Sequence, residues 1–137
     1  MSRKIPEMMR RAAAERAGSR CEYCRLPAVD SFYGFQIDHV VSRKHGGATV
    51  LGNLACACPD CNRNKGTDLG TLLVESTNLI RFFNPRLDDW DTHFEWAETG
   101  MIYARTNIGM ATLKIFQFNH PDRIIERKLL WQLGLWP

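Results

Sequence analysis

The order of apolar, β-branched and turn-forming residues divides the first half of the chain into short elements. Pro6 and Gly18 bracket a predicted helix of about three turns. Residues 32–41 are aromatic and β-branched enough for a strand, and the glycine-rich residues 42–53 predict a loop. A short helix is expected to begin at Cys58 and Pro59 and to end at Gly66. In the first helix we expect an inward apolar face formed by Met8, Met9, Ala12, Ala13 and Ala17. The outward face, directed to water or phosphate, is expected to be formed by Arg10, Arg11 and Arg16.

The second half of the chain has the pattern of a hairpin followed by two helices. Residues 92–97 and 101–105 flank a turn at 98–100, which predicts the hairpin. Residues 109–118 and 121–133 predict the helices, the second capped by Asn119 or His120 and ended by Gly134. Since no change of composition marks a boundary, we expect one α+β domain over residues 1–137. Its predicted parts are a basic N-terminal helix at 1–20, a central segment at 21–66 and a C-terminal extension at 67–137.

Composition and charge narrow the class of protein. The 137 residues are 45% hydrophobic and 24% charged, which is typical of a soluble globular chain. No apolar run approaches the roughly 18 residues that cross a bilayer, and residues 1–20 lack the apolar core of a secretory signal, so we expect a cytoplasmic protein without membrane contact. The net charge of +3 divides into +4 for residues 1–25, +1 for 26–66 and −2 for 67–137. A phosphate-binding face in the first half explains this distribution, and so does a solvated basic helix.

Four of the five cysteines form two hooks, Cys21-x-x-Cys24 and Cys58-x-x-Cys61, with 33 residues between them. Each hook can turn two sulfurs toward one ion, and two hooks complete a tetrahedron. Soft thiolates with no open position predict a structural zinc site. Two alternatives are four unrelated buried thiols and a rubredoxin-like iron site, although the iron site leaves the polar residues between the hooks unexplained. Cys56 is out of register with both hooks and is expected to be a small buried residue.

Polar residues between the hooks suit phosphodiester hydrolysis. The first of these residues are the adjacent pair Asp38-His39. Asn53 lies fourteen positions after His39, and Asn62 lies nine positions after Asn53. Carboxylate and amide oxygens are hard ligands for an ion such as Mg²⁺, and an imidazole near neutral pKa can take a proton from water. Taken singly, each of these residues is commonly a surface, turn or cap residue. Asp38 and His39 also point to opposite faces of a regular strand, so they serve one site only if the strand ends, twists or bulges there.

This set of residues resembles the HNH endonucleases over residues 21–66. The similarity rests on the run Cys21-x-x-Cys24, Asp38-His39-Val40-Val41-Ser42, Gly46-Gly47, Asn53-Leu54, Cys58-x-x-Cys61-Asn62-x-x-Lys65-Gly66. It implies a ββα-metal (His-Me finger) core stapled by the four-cysteine zinc site. The family pattern makes Asp38 the metal-ligating acid, His39 the general base and Asn53 the residue that orients the catalytic loop. Asn62 stands where the family usually has a metal-ligating histidine, so its amide oxygen is expected to favour Mg²⁺ or Mn²⁺.

The resemblance implies a metal-dependent endonuclease that hydrolyses DNA and leaves a 5′ phosphate, with RNA as a possible substrate. The basic residues expected to contact phosphate flank the catalytic elements: Arg43, Lys44, Arg63 and Lys65. An alternative is a catalytically inactive, zinc-stabilised module that binds nucleic acid, which shares every feature except the need for His39. The C-terminal extension is expected to complete the core or to form a partner surface, with His93 as a packed side chain.

Overall fold

The computed structural model describes residues 5–28, 34–74 and 77–137, which contain a mixture of helices and two-stranded antiparallel sheets. The helices are α1 (Glu7–Arg16), α2 (Pro59–Lys65), α3 (Trp90–His93), α4 (Asn107–Phe116) and α5 (Pro121–Gln132). The strands are β1 (Gln36–His39), β2 (Leu54–Ala57), β3 (Gly70–Leu72), β4 (Leu79–Arg81), β5 (Phe94–Trp96) and β6 (Ile102–Ala104). The expected mixture of α and β structure is confirmed, and the sheets are small hairpins.

Helix α1 begins one residue after Pro6 and ends two residues before Gly18, as the pattern predicts. Ala13 is fully buried and packs with Ile5 and Leu54, and Met9 lies partly buried beside them. The prediction was wrong for Met8, which is 85% exposed. An α-helix this short presents only a narrow stripe to the strand beneath it. Of the predicted segment 1–20, residues 1–4 lie outside the described residues.

Arg16 is exposed, as expected of the basic face, and it also makes backbone contacts. Its guanidinium donates hydrogen bonds to the carbonyl oxygens of Leu51 (2.8 Å) and Leu54 (2.6 Å). Arg16 therefore ties the last turn of α1 to the start of β2.

β1, β2 and α2 follow one another in the segment between and around the cysteine hooks. β1 is shorter than the predicted strand 32–41, of which residues 32 and 33 lie outside the described residues. It pairs with β2 in antiparallel register, with Asp38 opposite Ala55 and His39 opposite Leu54. All four residues of β2 are buried, as expected for a small apolar strand covered on both faces. α2 begins at Pro59, whose fixed φ suits a first helical position, and ends at Lys65 before Gly66.

The C-terminal extension contains the predicted hairpin and helices and one hairpin that the sequence pattern missed. β5 and β6 lie within the predicted hairpin, while the residues just before β5 form the short α3. The Nδ1 atom of His120 accepts a hydrogen bond from the Asp122 amide, which confirms one of the two predicted caps of α5. β3 pairs with β4 although each has only three residues. Gly70 permits this pairing, since an added Cβ would lie 2.2 Å from the Ile80 carbonyl oxygen.

The extension packs against the first cysteine hook. The indole nitrogen of Trp90 donates to the Tyr23 carbonyl oxygen (2.8 Å), and that of Trp136 donates to the Cys24 carbonyl oxygen (3.1 Å). One buried apolar cluster contains the four hook cysteines together with Phe94, Phe116 and other residues of the extension. His93 is nearly buried and is bonded to Thr106, as expected of a packed histidine. Among the described helices, none has the length and apolarity needed to cross a membrane.

Candidate functional site

The two cysteine hooks meet in the interior. The Sγ atoms of Cys21, Cys24, Cys58 and Cys61 all lie within 4.8 Å of one another, and all four residues are buried. Tetrahedral zinc with Zn–S bonds of about 2.3 Å needs sulfurs about 3.8 Å apart, and the Cys24 and Cys58 sulfurs are 3.7 Å apart. This separation is far longer than a disulfide bond. The predicted clustering is confirmed, and the donor set fits a closed zinc site.

Each hook is shaped by backbone hydrogen bonds to its own sulfur. The Cys24 amide donates to Cys21 Sγ (3.5 Å), and the Cys61 amide donates to Cys58 Sγ (3.4 Å). Cys58 is also the N-cap of α2, where the partial positive charge of the helix end favours an anion. The second hook therefore owes its geometry to the start of a helix.

Three of the clustered thiols have pKa values that their surroundings shift. Hydrogen bonds from Cys21, Cys58 and Cys61 hold the pKa of Cys24 well below its ordinary value. Burial raises the pKa of Cys61, and hydrogen bonding within the cluster raises that of Cys58. Among Cys24, Cys58 and Cys61, the sulfurs alone therefore favour a thiolate at Cys24, whereas a bound dication favours the thiolate form of every ligand.

Cys56 lies on β2, outside this cluster. It is buried, and burial followed by the charge of Glu22 raises the pKa of its thiol to about 11. A thiol that stays protonated at neutral pH behaves as a small apolar side chain. This agrees with its expected place as a buried residue near the hooks.

Asp38 and His39 occupy the last two positions of β1 and contact different elements. The Oδ2 atom of Asp38 is 3.5 Å from the ammonium of Lys65 on α2. The Nε2 atom of His39 is joined by a 2.8 Å hydrogen bond to Thr49 Oγ1 in the loop that follows β1. Because β1 ends at His39, these two residues stand at a strand end, which is one of the arrangements that lets neighbouring residues serve one site.

The electrostatic setting of His39 favours a neutral imidazole. Burial is the largest influence and lowers the pKa of His39; Asp38 raises it, and the positive charges of Arg43 and Lys65 lower it. The net effect is a lowered pKa, so the ring can accept a proton at neutral pH.

Asn53 closes the loop that begins at His39. Its Oδ1 accepts from the Val41 amide, and its Nδ2 donates to the carbonyl oxygens of Val41 and Ala48, each at 2.9 Å. Gly47 is required here, since an added Cβ would lie 1.7 Å from the Val41 carbonyl oxygen and 2.8 Å from Asn53 Nδ2. Asn53 therefore makes the expected hydrogen bonds to the backbone of the glycine-rich loop.

Asn62 and Lys65 lie three residues apart on α2, a spacing that places side chains on one side of a helix. Asn62 is partly buried. Since Lys65 reaches Asp38, this side of α2 faces the end of β1. The two oxygen ligands predicted for the catalytic ion, on Asp38 and Asn62, therefore belong to adjacent elements.

The four predicted phosphate contacts occupy different environments. Arg43, Lys44 and Arg63 are exposed, although Arg63 pairs with Asp60 at 2.7 Å. The structure contradicts the expectation for Lys65, which is only 3% exposed. Its ammonium donates to the His39 carbonyl oxygen (3.0 Å) and more weakly to that of Gly66 (3.4 Å).

Sequence reasoning missed Thr49. Its hydroxyl accepts a hydrogen bond from Arg43 (3.1 Å) while contacting His39, so it links the imidazole to an exposed cation. The position of a threonine in a glycine-rich loop does not indicate from the sequence that its hydroxyl contacts a histidine and an arginine. Only the closure of the loop brings these three side chains together.

Residues 21–68 match the model of a protein family described as HNH endonuclease. The match covers about a third of the chain, from the first hook to just beyond α2, and includes every residue of the site described above. No curated protein and no solved structure matches the chain.

Proposed function

We propose that this chain, whose residues 21–68 match the HNH endonucleases, is a metal-dependent endonuclease that hydrolyses phosphodiester bonds of DNA. The observation that carries the proposal is the environment of His39. Its ring stands at the end of β1, is bonded to Thr49 and has a pKa lowered by burial. The loop beside it is closed by Asn53, which supports a fixed position for a catalytic base.

His39 acts in this proposal as the general base. If Nε2 carries its proton and donates to Thr49, the lone pair of Nδ1 is the atom that accepts a proton from water. The water oxygen forms a bond to phosphorus as the bond to the 3′ oxygen breaks. The departing 3′ oxygen takes a proton from solvent water, so the products are a 5′ phosphate and a 3′ hydroxyl. Asn53 and Thr49 position the ring and take no part in bond making.

Asp38 and Asn62 are the proposed ligands of one catalytic divalent ion, Mg²⁺ or Mn²⁺. Their carboxylate and amide oxygens are the donors that these hard ions prefer. When bound there, such an ion would supply Lewis-acid stabilisation of the charge on the phosphate and on the departing oxygen. Lys65 already neutralises part of the Asp38 charge at 3.5 Å, which supports weak, exchangeable binding of the ion.

The four-cysteine cluster is proposed to hold a structural zinc within a ββα-metal core formed by β1, β2 and α2. Its closed ligand set leaves no position for water or substrate. We further propose that residues 1–137 form one domain, because the extension packs on the first hook. We also propose a cytoplasmic protein, because none of the five cysteines forms a disulfide, which suits a reducing compartment.

DNA is the proposed partner, and exposed basic residues are its proposed contacts. Arg43, Lys44 and Arg63 flank the catalytic elements along the chain, and all three are exposed. Ionic contacts of this kind position a nucleic acid without reading its sequence.

A second candidate function is a non-catalytic zinc module that binds nucleic acid. Two observations favour it: Asn62 replaces the family's usual histidine ligand, and Lys65 competes for Asp38. Both candidates predict binding, and only the first predicts cutting.

Cleavage of supercoiled plasmid in Mg²⁺ separates the two candidates. We expect wild-type protein to nick the plasmid and His39→Ala to lose most cleavage while retaining DNA binding. His45→Ala is the matched control, because His45 is an exposed histidine six residues away, and it should cut at the wild-type rate. Nicking by His39→Ala at the wild-type rate refutes the assigned base. A wild-type protein that binds but never cuts, with either DNA or RNA as substrate, favours the second candidate.

A further inference from the structure

Helix α5 delivers a buried arginine to the four-cysteine cluster. Arg123 is 7% exposed, and its Nη2 donates to Cys61 Sγ at 3.1 Å and to Cys58 Sγ at 3.7 Å. Arg123 is more than sixty residues from either sulfur along the chain. The contact therefore exists only because the C-terminal extension folds back onto the second hook.

The rest of the guanidinium is held on all sides. Nη1 donates to the carbonyl oxygens of Phe116 (2.7 Å) and Gln117 (3.3 Å), which are the last residue of α4 and its C-cap. Nε lies 3.8 Å from the carboxylate of Asp60, the residue before Cys61. A side chain with this many fixed partners loses little further freedom when it bonds to sulfur.

The positive charge of Arg123 compensates the negative charge of a zinc–thiolate site. Four thiolates around a zinc dication carry a net charge of −2, and burying such a charge is costly unless it is paired and hydrogen-bonded. Two buried arginines, one helical turn apart on α5, provide the opposite charge. The second, Arg127, makes no hydrogen bond to sulfur among the described residues. It donates instead to the carbonyl oxygens of Gly100 (2.7 Å) and Phe118 (2.6 Å).

We propose that Arg123 is a positioning residue of the zinc site, whose hydrogen bonds to Cys58 and Cys61 stabilise the bound metal and make docking of α5 depend on it. This assigns a role to α5 of the C-terminal extension, a helix that lies beyond the residues matched by the family. The proposal rests on the cysteine cluster holding zinc, and it is independent of nuclease activity. Partners that bond to metal ligands typically contribute 10- to 100-fold to metal affinity.

The test compares Arg123→Met with Arg127→Met. Both changes remove a buried arginine from the same face of α5, and only the first removes hydrogen bonds to sulfur. With Co²⁺ in place of zinc, the sulfur-to-cobalt charge-transfer band reports the energy of the sulfur lone pairs. Removing a hydrogen-bond donor raises that energy, so Arg123→Met should shift the band to longer wavelength. Arg127→Met removes a buried charge but no hydrogen bond to sulfur, so its shift should be clearly smaller. In competition with a chelator, Arg123→Met should lose 10- to 100-fold in zinc affinity relative to Arg127→Met.

An unchanged band together with zinc affinities within twofold of each other overturns the proposal. If Arg123→Met does not fold, NMR of the wild-type protein loaded with ¹¹³Cd tests the same contact. An NMR correlation spectrum between ¹¹³Cd and protons detects each N–H group that is hydrogen-bonded to a ligating sulfur. The amides of Cys24 and Cys61 are internal positive controls, because both donate to sulfur. An additional signal from the Arg123 guanidinium supports the proposal, and signals from the amides alone refute it. Absence of metal from the wild-type protein would instead refute the zinc site itself.

Discussion

Replacing Asn53 with alanine tests whether the loop geometry matters for chemistry beyond its contribution to stability. The change removes three hydrogen bonds to the backbone of residues 41 and 48. At about 1 kcal/mol net for each bond, the upper limit is roughly 3 kcal/mol. Because the site is partly exposed and water replaces part of the loss, we expect about 2 kcal/mol. For a chain of this length that corresponds to a fall in Tm of roughly 8 °C.

The effect on cleavage should be larger than the effect on stability. Without Asn53 the loop that carries Thr49 is no longer tied to Val41, so the His39 ring loses its fixed position. A displacement of about 1 Å at a catalytic group can cost roughly 100-fold in rate. We therefore expect Asn53→Ala to cut plasmid at least about 100-fold more slowly than wild type, at a temperature where both proteins are folded.

Asn119 provides a matched control for this experiment. Its side chain pairs with both backbone groups of Ile102, as Asn53 does with Val41, and it accepts a third bond from Arg127. Asn119→Ala should lose at least as much Tm and keep its rate of cleavage. The argument fails if the two variants lose activity equally, or if Asn53→Ala cuts like wild type.

Three further predictions concern pH and metals. The neutral His39 ring is the proposed base, and burial lowers its pKa. The cleavage rate should therefore be maximal at neutral pH and fall on acidification with a midpoint below about 6.5. A midpoint above that value in a pH–rate profile contradicts the assignment. Asn62→His should fold and extend metal use toward nickel or zinc, and an identical rate profile across a metal panel would mean that Asn62 does not touch the ion. Cys58→Ser should lower Tm sharply or give insoluble protein, whereas Asp38→Ala should melt near wild type, retain about one zinc per chain by elemental analysis and be inactive. Loss of zinc from Asp38→Ala, together with full stability of Cys58→Ser, would contradict the assignment of the structural zinc to the cysteines and of the catalytic ion to Asp38.

The sequence by itself determined the chemistry that depends on short spacings. Two residues between cysteines suffice to turn both sulfurs of a hook toward one point, so the hooks could be paired before their fold was known. Pro6, Pro59, His120 and the glycines that follow the helices likewise act through their own backbone and near neighbours. These signals located the main helices to within a few residues.

Tertiary structure alone decided which distant partner each polar side chain meets. Lys65 was predicted to contact phosphate because it flanks the catalytic elements, but packing of α2 on β1 buries it between Asp38 and the His39 carbonyl oxygen. Thr49 reaches His39 only when Asn53 closes the loop. Arg123 reaches the cysteine sulfurs only when α5 docks. Charge and hydrogen-bonding capacity can be read from a residue's type, whereas the free-energy balance between hydration and a buried partner depends on the whole packed chain.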